Sequence, residues 1–358
     1  MRIVVRADAS TKIGTGHVMR CLTLAKALRE LGHQCIFVQR EHVGNLLEFI
    51  TQQGFDVVSL TDSRSDHSFD GYVAWLGATQ QEDAEQTLMA IGDSKAEWLI
   101  VDHYGLDAYW EERLLPHVGH MLALDDLANR HHACQFLLDQ NFGATRQKYQ
   151  EWVAPSCTIF AGANYALLRP EFRRCRKSSL ERRRGNKQVH NILISMGGVD
   201  VENYTGRIVE QLAIMPLDKD IELVIILGAN SPHIYSVRQS VTKLSCRVVL
   251  KVNVNNVAEL MAEADLAIGA AGATSWERCC LGLPTIQLVV AENQRQIGDA
   301  LSSFGAVRLI DAVEDIPPLL SSASQWLLET SEKSAKVVDG LGLQRVIDVL
   351  MNENYCIE

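Results

Sequence analysis

Arg6-Ala7-Asp8-Ala9-Ser10-Thr11-Lys12-Ile13-Gly14-Thr15-Gly16-His17-Val18-Met19-Arg20 is the stretch on which the reading of the fold turns. The apolar run Ile3 to Val5 precedes it. Val18, Cys21, Leu22, Ala25, Leu28 and Leu31 then recur at three- and four-residue spacing up to Gly32, the pattern of a helix with one apolar face. Gly14 and Gly16 therefore lie where a strand turns into a helix, a place where backbone N–H groups and the helix dipole favour an anion. A histidine at that junction is unusual, because an imidazole exchanges a proton near neutral pH. Two common glycine motifs do not fit. A dinucleotide-binding G-x-G-x-x-G/A needs a small residue where Met19 stands, and a P-loop needs Gly-Lys-Ser/Thr where Gly16-His17-Val18 stands. A plain tight turn, with His17 as a helix-capping residue, explains the spacing equally well.

The length of 358 residues suits two domains, and 47% hydrophobic content is ample for two cores. A count of 34 basic against 44 acidic residues, formally −10, disfavours a nucleic-acid partner. No apolar run approaches the ~20 residues of a membrane span, and Met1-Arg2 leads straight into a strand rather than a signal peptide. Nine cysteines without a C-x-x-C pair fit a reducing, cytoplasmic setting. No metal is expected. Asp218-Lys219-Asp220 precedes a strand and so sits at the wrong end of a sheet, and His131-His132 with Asp125-Asp126 read as a polar loop.

Short apolar runs alternate with helical stretches, which implies parallel sheets covered by helices. In the first half these runs are Ile3–Val5, Cys35–Val38, Val57–Leu60, Trp98–Val101, Met121–Leu124 and Phe136–Leu138. In the second they are Asn191–Ser195, Glu222–Leu227, Arg247–Leu250, Leu266–Gly269 and Thr285–Val289. Polar and glycine residues collect just after them: Asp8, Asp102-His103-Tyr104, Asp125-Asp126, Gly197-Gly198 and Gly269-Ala270-Ala271-Gly272. Ligands of open parallel sheets bind at that end. The expected organisation is an α/β chain with an N-terminal Rossmann-like domain over 1–170, a solvated basic linker over 171–188, and a C-terminal Rossmann-like domain over 189–358. Arg169 closes the apolar segment Tyr165-Ala166-Leu167-Leu168 and stands apart from the linker as a residue held in place.

The second half carries its own candidate binding elements. Gly197 and Gly198 repeat the strand–glycine–helix arrangement and would let a diphosphate approach the backbone, although a plain strand-to-helix turn fits as well. Gly269-Ala270-Ala271-Gly272-Ala273 is followed by Thr274, Ser275 and, one turn into a helix, Glu277. A carboxylate there can accept both hydroxyls of a ribose diol. Thr274-Ser275-Trp276-Glu277 also matches the S/T-x-x-E capping box. Asn293 and Gln294, after the strand Thr285–Val289, are candidates for the same ligand, with a helix cap as the alternative for Asn293.

Taken together these residues resemble a known family. Arg-x-Asp-x-Ser…Ile-Gly-x-Gly-His-x-x-Arg over 6–20, with Asp102-His103-Tyr104 after a later strand, is similar to the UDP-sugar hydrolases of pseudaminic acid biosynthesis. Tyr165-Ala166-Leu167-Leu168-Arg169-Pro170-Glu171-Phe172, Met196-Gly197-Gly198 and Glu292-Asn293-Gln294 extend the match through nearly the whole chain. The C-terminal elements are shared with the wider GT-B group, including the peptidoglycan N-acetylglucosaminyltransferase.

The resemblance implies a GT-B-like fold of two Rossmann-like domains with parallel sheets facing a central cleft, UDP being held mainly by the second. It implies hydrolysis of UDP-2,4-diacetamido-2,4,6-trideoxy-β-L-altropyranose to UDP and the free sugar; a monomer without cofactor is expected besides. His17 is the implied general base, and Tyr104 is implied near the reacting centre. Arg169 and Glu277 are implied substrate contacts, Glu277 on the ribose. Arg6, Asp8, Gly14, Gly16, Gly197, Gly198, Thr274, Ser275, Asn293 and Gln294 complete the expected substrate-binding set. The rivals are a GT-B glycosyltransferase, a UDP-sugar 2-epimerase and a non-catalytic nucleotide-sugar-binding protein. The segment Thr61–Asp70 reads as a polar loop without an assigned role, as does the tail from Asn352.

Overall fold

Near-continuous apolar strands are what a parallel sheet covered on both faces requires, and two such sheets form. The computed structural model describes residues 1–61, 71–92 and 94–352, so most of the loop read at Thr61–Asp70 and all but the first residue of the tail lie outside the described residues. The chain divides into two compact units. One is Met1–Leu167 together with the stretch from Gly342, and the other is Leu168–Leu341.

The first unit holds seven parallel strands: β1 Arg2–Ala7, β2 Gln34–Arg40, β3 Asp56–Leu60, β4 Ala96–Asp102, β5 Val118–Leu124, β6 Phe136–Asp139 and β7 Thr158–Ala161. Their order is β3-β2-β1-β4-β5-β6-β7. The chain builds outward from β1 on one side, returns, and continues on the other, so the order reverses between β1 and β4. Crevices open at such switch points in parallel sheets. Ala7 pairs with Asp102 in the register of these two strands, which brings the loop after β1 beside the end of β4.

The helix Gly16–Glu30 follows β1 and buries Val18, Cys21, Leu22, Leu24, Ala25 and Leu28. It stops at Leu31-Gly32, where Gly32 takes a φ of +86° and donates to the Arg29 carbonyl, a C-terminal turn that glycine makes at low cost. Leu343, Val346, Ile347 and Leu350 of the last helix, Gly342–Leu350, join the same core as Val18, Leu22 and Leu28. The C-terminal segment expected in the second domain thus belongs to the first unit.

The second unit repeats the topology with six strands: β8 Asn191–Ser195, β9 Glu222–Leu227, β10 Arg247–Val252, β11 Leu266–Ala270, β12 Thr285–Leu288 and β13 Arg308–Ile310. Their order is β10-β9-β8-β11-β12-β13, with the reversal between β8 and β11. Gly197-Gly198 and Gly272 therefore follow the two strands that flank this switch point.

The basic stretch expected as a solvated linker is instead a helix, Pro170–Arg183, with Phe172, Ser179 and Arg183 buried. Its cations serve carbonyl groups that helices leave unpaired at their C-terminal ends. Arg183 donates to the carbonyls of Met261 (2.7 Å) and Ala262 (3.1 Å), at the end of the helix Val257–Glu263. Arg176 reaches the carbonyls of Cys280 and Ala335. Arg182 pairs with the buried Asp265 at 2.6 Å. Asp265 also accepts from the backbone N–H groups of His190 and Asn191, both at 2.9 Å, tying the start of β8 to the start of β11. Among the described residues no helix is long and apolar enough to cross a membrane.

Removing the Asp265 carboxylate leaves part-buried donors on the helix Pro170–Arg183 and at the start of β8 without their acceptor. Asp265→Ala should destabilise the protein by about 1–3 kcal/mol, read as a shifted denaturant midpoint. Asp265→Asn, which keeps an acceptor oxygen, should cost less. Equal midpoints for Asp265→Ala and the unchanged protein would show that this tie contributes nothing.

Candidate functional site

The loop after β1 is shaped by its small residues. The Ser10 hydroxyl accepts from the N–H groups of Lys12 (3.1 Å) and Ile13 (2.9 Å), and Gly14, at a φ of +79°, donates to the Ser10 carbonyl at 2.8 Å. Such a φ is one that glycine adopts readily. His17 then falls in the first helical turn, but it does not cap the helix. Its Nδ1 lies 2.6 Å from Oδ1 of Asp102, the last residue of β4.

Asp102 is fully buried. Burial by itself would raise its carboxyl, but Arg20 and His17 outweigh that and hold it well below the usual carboxylate range. Arg20 grips it with two bonds, Nε to Oδ2 at 2.6 Å and a terminal nitrogen to Oδ1 at 2.7 Å. His17 and Arg20 are three residues apart on one helix and so share a face. An ionised Asp102 only accepts, so it draws a proton to Nδ1 of His17, and in the neutral ring Nε2 is then the acceptor. His17 retains 8% exposure.

Tyr104, two residues beyond Asp102, meets His17 edge to face, with ring centres 4.6 Å apart and planes at 87°. Burial, together with the nearby Asp126 carboxylate, pushes its phenol well above the usual tyrosine range. It is therefore a neutral hydroxyl at physiological pH. Arg20 spans both acids, reaching Asp126 at 3.4 Å.

Arg6 and Asp8, expected as substrate contacts, occupy a different environment. Both are fully buried. Arg6 pairs with Asp8 (2.6 Å) and with Asp83 (2.7 Å), and Asp83 also takes Arg40 (2.7 Å) and the Trp110 indole N–H (3.0 Å). A charge inside a strand needs such partners. With no surface exposed, this pair fixes the ends of β1 and β2 rather than presenting groups to a ligand. His103 accepts from the Gly105 N–H through Nδ1 at 3.0 Å, which leaves Nε2–H facing Asp8 at 3.5 Å. Burial lowers its pKa to about 3 despite Asp8, so it stays neutral.

In the second unit, Gly197 takes a φ of +106°, and any side chain at Gly228 would overlap the Gly198 carbonyl. The N-terminus of the following helix, Tyr204–Ala213, is already served by the chain itself. Asp200 accepts from the N–H groups of Tyr204 (2.8 Å) and Thr205 (2.9 Å), and Asn203 accepts from Gly206 (3.2 Å). The glycine backbone, unlike this helix end, is exposed.

The stretch after β11 is organised by a residue that sequence reasoning passed over. Arg278 is buried and donates to Thr274 Oγ1 (3.0 Å), Ser275 Oγ (3.2 Å) and the Ala270 carbonyl (2.7 Å). Burial brings its pKa down to about 10. A Cβ on Gly269 would lie 2.7 Å from this guanidinium, so the small residues make room for Arg278. The capping box is not formed: Thr274 is the first residue of the helix Thr274–Cys280, and the cap position is Ala273, without a side-chain bond.

Glu277 and Arg169, expected separately, come together at 3.4 Å, and Arg169 also holds Glu171 at 3.1 Å. Burial raises the Glu277 carboxyl in spite of Arg169. The side chain of Gln294 lies against Gly272, whereas Asn293 is exposed. Asp102 and Arg20 were legible as sequence neighbours of the candidates; the spacing His-x-x-Arg was the signal that they act together. The polar residues weighed as a metal cluster are engaged otherwise, His132 with Glu111 at 2.7 Å and Asp125 with Arg130 at 2.6 Å.

No protein-family model matches the chain. It is 27% identical over 306 residues, 85% of its own length and 97% of the other's, to the UDP-2,4-diacetamido-2,4,6-trideoxy-beta-L-altropyranose hydrolase of Campylobacter jejuni. It is 24% identical over 363 residues, 98% of each, to the spore coat polysaccharide biosynthesis protein SpsG of Bacillus subtilis. It is also 26% identical over 305 residues to the uncharacterized protein MJ1062 of Methanocaldococcus jannaschii, covering 84% of this chain but only 58% of that protein. Among solved structures, MurG of Acinetobacter baumannii superposes with a TM-score of 0.66 at 16% identity, over 98% of this chain and 99% of MurG. The spinosyn rhamnosyltransferase SpnG superposes with a TM-score of 0.61 at 17% identity, over 97% of this chain and 100% of SpnG. The chain thus has the fold of the GT-B glycosyltransferases and is similar, along most of its length, to a UDP-sugar hydrolase, as the motifs at 6–20 and 102–104 imply.

Proposed function

We propose that this protein hydrolyses a UDP-linked sugar, releasing UDP and the free sugar, with UDP-2,4-diacetamido-2,4,6-trideoxy-β-L-altropyranose as the substrate. The observation that carries the reading is the 2.6 Å contact between His17 Nδ1 and the buried Asp102 carboxylate. It supports the tautomer in which Nε2 is the acceptor, and on this reading the carboxylate stabilises the imidazolium that results.

The reaction needs one proton acceptor. A water oxygen attacks the anomeric carbon, its proton passes to His17 Nε2, and the bond to the UDP oxygen breaks with the electron pair leaving on UDP. UDP leaves readily at neutral pH, so no strong acid is required at that oxygen. Attack from the face opposite UDP inverts the anomeric configuration. Tyr104, neutral and edge-on to the imidazole, keeps the ring in its plane and offers a hydroxyl near the reacting centre. Gly197, Gly198 and Thr274 supply backbone and hydroxyl donors for the diphosphate, whereas Ser275, expected with them, is buried and donates its hydroxyl to Gln287 and its N–H to the Gly272 carbonyl. Here the hydroxyl oxygens of Thr274 and Ser275 accept from Arg278, leaving the Thr274 proton free to donate. Glu277, steadied by Arg169, takes the ribose hydroxyls.

The likeness of the fold to glycosyltransferases favours a second reading, transfer to an acceptor hydroxyl in place of water. Purified protein incubated with the UDP-diacetamido sugar and no acceptor separates the two. Release of UDP with free sugar supports hydrolysis, and release only after an acceptor is added supports transfer. The first anomer seen by NMR should be inverted; a retained anomer would exclude direct displacement by water.

His17→Asn should lower kcat by about 10²–10⁴ while the affinity for UDP stays unchanged. Equal losses in rate and affinity would make His17 a binding residue only. The raised Glu277 carboxyl gives a pH signature. The ionised form accepts the ribose hydroxyls, so uridine affinity should fall on acidification at a pH above the usual carboxylate range. Glu277→Gln should abolish that dependence. A pH-independent uridine affinity in the unchanged protein would remove Glu277 from the ribose.

A further inference from the structure

Tyr104 does not stand alone beside His17. The 3₁₀ turn Gly71–Trp75 brings two further aromatic rings to it. Tyr72 lies 5.0 Å from Tyr104 between ring centres, at 64°, and Trp75 lies 5.8 Å away, at 30°. Tyr72 and Trp75 also pack on each other at 4.7 Å. Tyr104 is 7% exposed, whereas Tyr72 and Trp75 both keep part of their surface open to solvent. A continuous aromatic surface therefore runs outward from the imidazole.

Several features hold this surface in place. A Cβ at Gly105 would lie 2.8 Å from the Tyr72 carbonyl oxygen and 3.1 Å from a His103 ring carbon, so the missing side chain is what lets the turn lie on the loop after β4. Leu76, just beyond the turn, is fully buried. The next helix, Gln80–Ile91, starts with a complete capping box between Thr79 and Glu82, and its Asp83 belongs to the buried ion-pair network. Aromatic rings fixed on both sides lose little freedom when a ligand covers them.

We propose that Tyr72 and Trp75, with Tyr104, form the wall that receives the sugar ring acted on by His17. On this assignment they select nucleotide sugars bearing deoxy and acetamido groups over fully hydroxylated ones. The inference rests on the nucleotide-sugar reading and adds to it where the sugar's apolar substituents sit. Ring faces accept C–H and methyl groups but offer nothing to a hydroxyl, which would lose its water on burial there.

The test compares the hydrolysis of UDP-2,4-diacetamido-2,4,6-trideoxy-altropyranose with that of UDP-glucose by the unchanged protein, Trp75→Ala, Trp75→Phe and Tyr72→Ala. A preference for the deoxy sugar of about 10–100-fold, the range available to an apolar pocket, should fall in Trp75→Ala through a KM raised about tenfold or more. Inhibition by UDP should not change, and Trp75→Phe should recover most of the loss. An unchanged KM and preference in both alanine variants, each with a wild-type melting temperature, would overturn the wall. A second readout does not need turnover. Tryptophan fluorescence should be quenched by the UDP-sugar more than by UDP, and Trp75→Phe should lose that difference. If no UDP-sugar is hydrolysed but this difference is present, the hydrolase reading fails and the wall stands. If hydrolysis proceeds and Trp75→Phe keeps the full difference, the wall fails alone.

Discussion

A carboxylate buried at the end of β4 is the constraint around which the first unit is arranged. Removed from water, Asp102 would be costly unless paired. Arg20 supplies a full charge through two short bonds, and His17 supplies a third donor. The three residues come from two elements that meet only because β1 and β4 are neighbours at the point where the strand order reverses. The polar triad is thus a consequence of topology, and its chemistry follows from the satisfaction of one anion. The Arg6–Asp8–Asp83–Arg40 network does the same for the neighbouring strand ends, making this edge of the sheet rigid.

The second unit repeats the strand order and inverts the charge. Beside its switch point the buried ion is a cation, Arg278, held by hydroxyl, carbonyl and amide oxygens. Two copies of one topology therefore offer different chemistry: a carboxylate that orients an imidazole in one, and a guanidinium that orders a small-residue loop in the other. Fold likeness alone would not have distinguished them.

Much of this was legible in the sequence because buried parallel strands are written as plain apolar runs. The helix Gly16–Glu30 could be read from its spacing, and His17, Tyr104 and Glu277 from their places after strands. Other features left no local pattern. β7 and β13 are short edge strands, Thr158–Ala161 and Arg308–Ile310, and neither shows periodicity. The helix Pro170–Arg183 looked like a solvated linker because its arginines outnumber its apolar residues; they are spent on carbonyl groups from distant segments, which no window of sequence reveals. Arg6 and Asp8 stood in the right motif but answer to Asp83 and Arg40, far along the chain. Arg278 left no signal because it is held by hydroxyl, carbonyl and amide oxygens. Tyr72 and Trp75 reach Tyr104 only through the close approach that Gly105 allows.

The central claim is that Asp102 fixes the protonation of one imidazole. Nitrogen-15 NMR of protein labelled at histidine tests it without any substrate. Once its ring is neutral, His17 should carry its proton on Nδ1, with Nε2 bare, and Asp102→Asn should disturb that assignment. A proton found on Nε2 of His17 in the unchanged protein, with Nδ1 bare, would contradict the account.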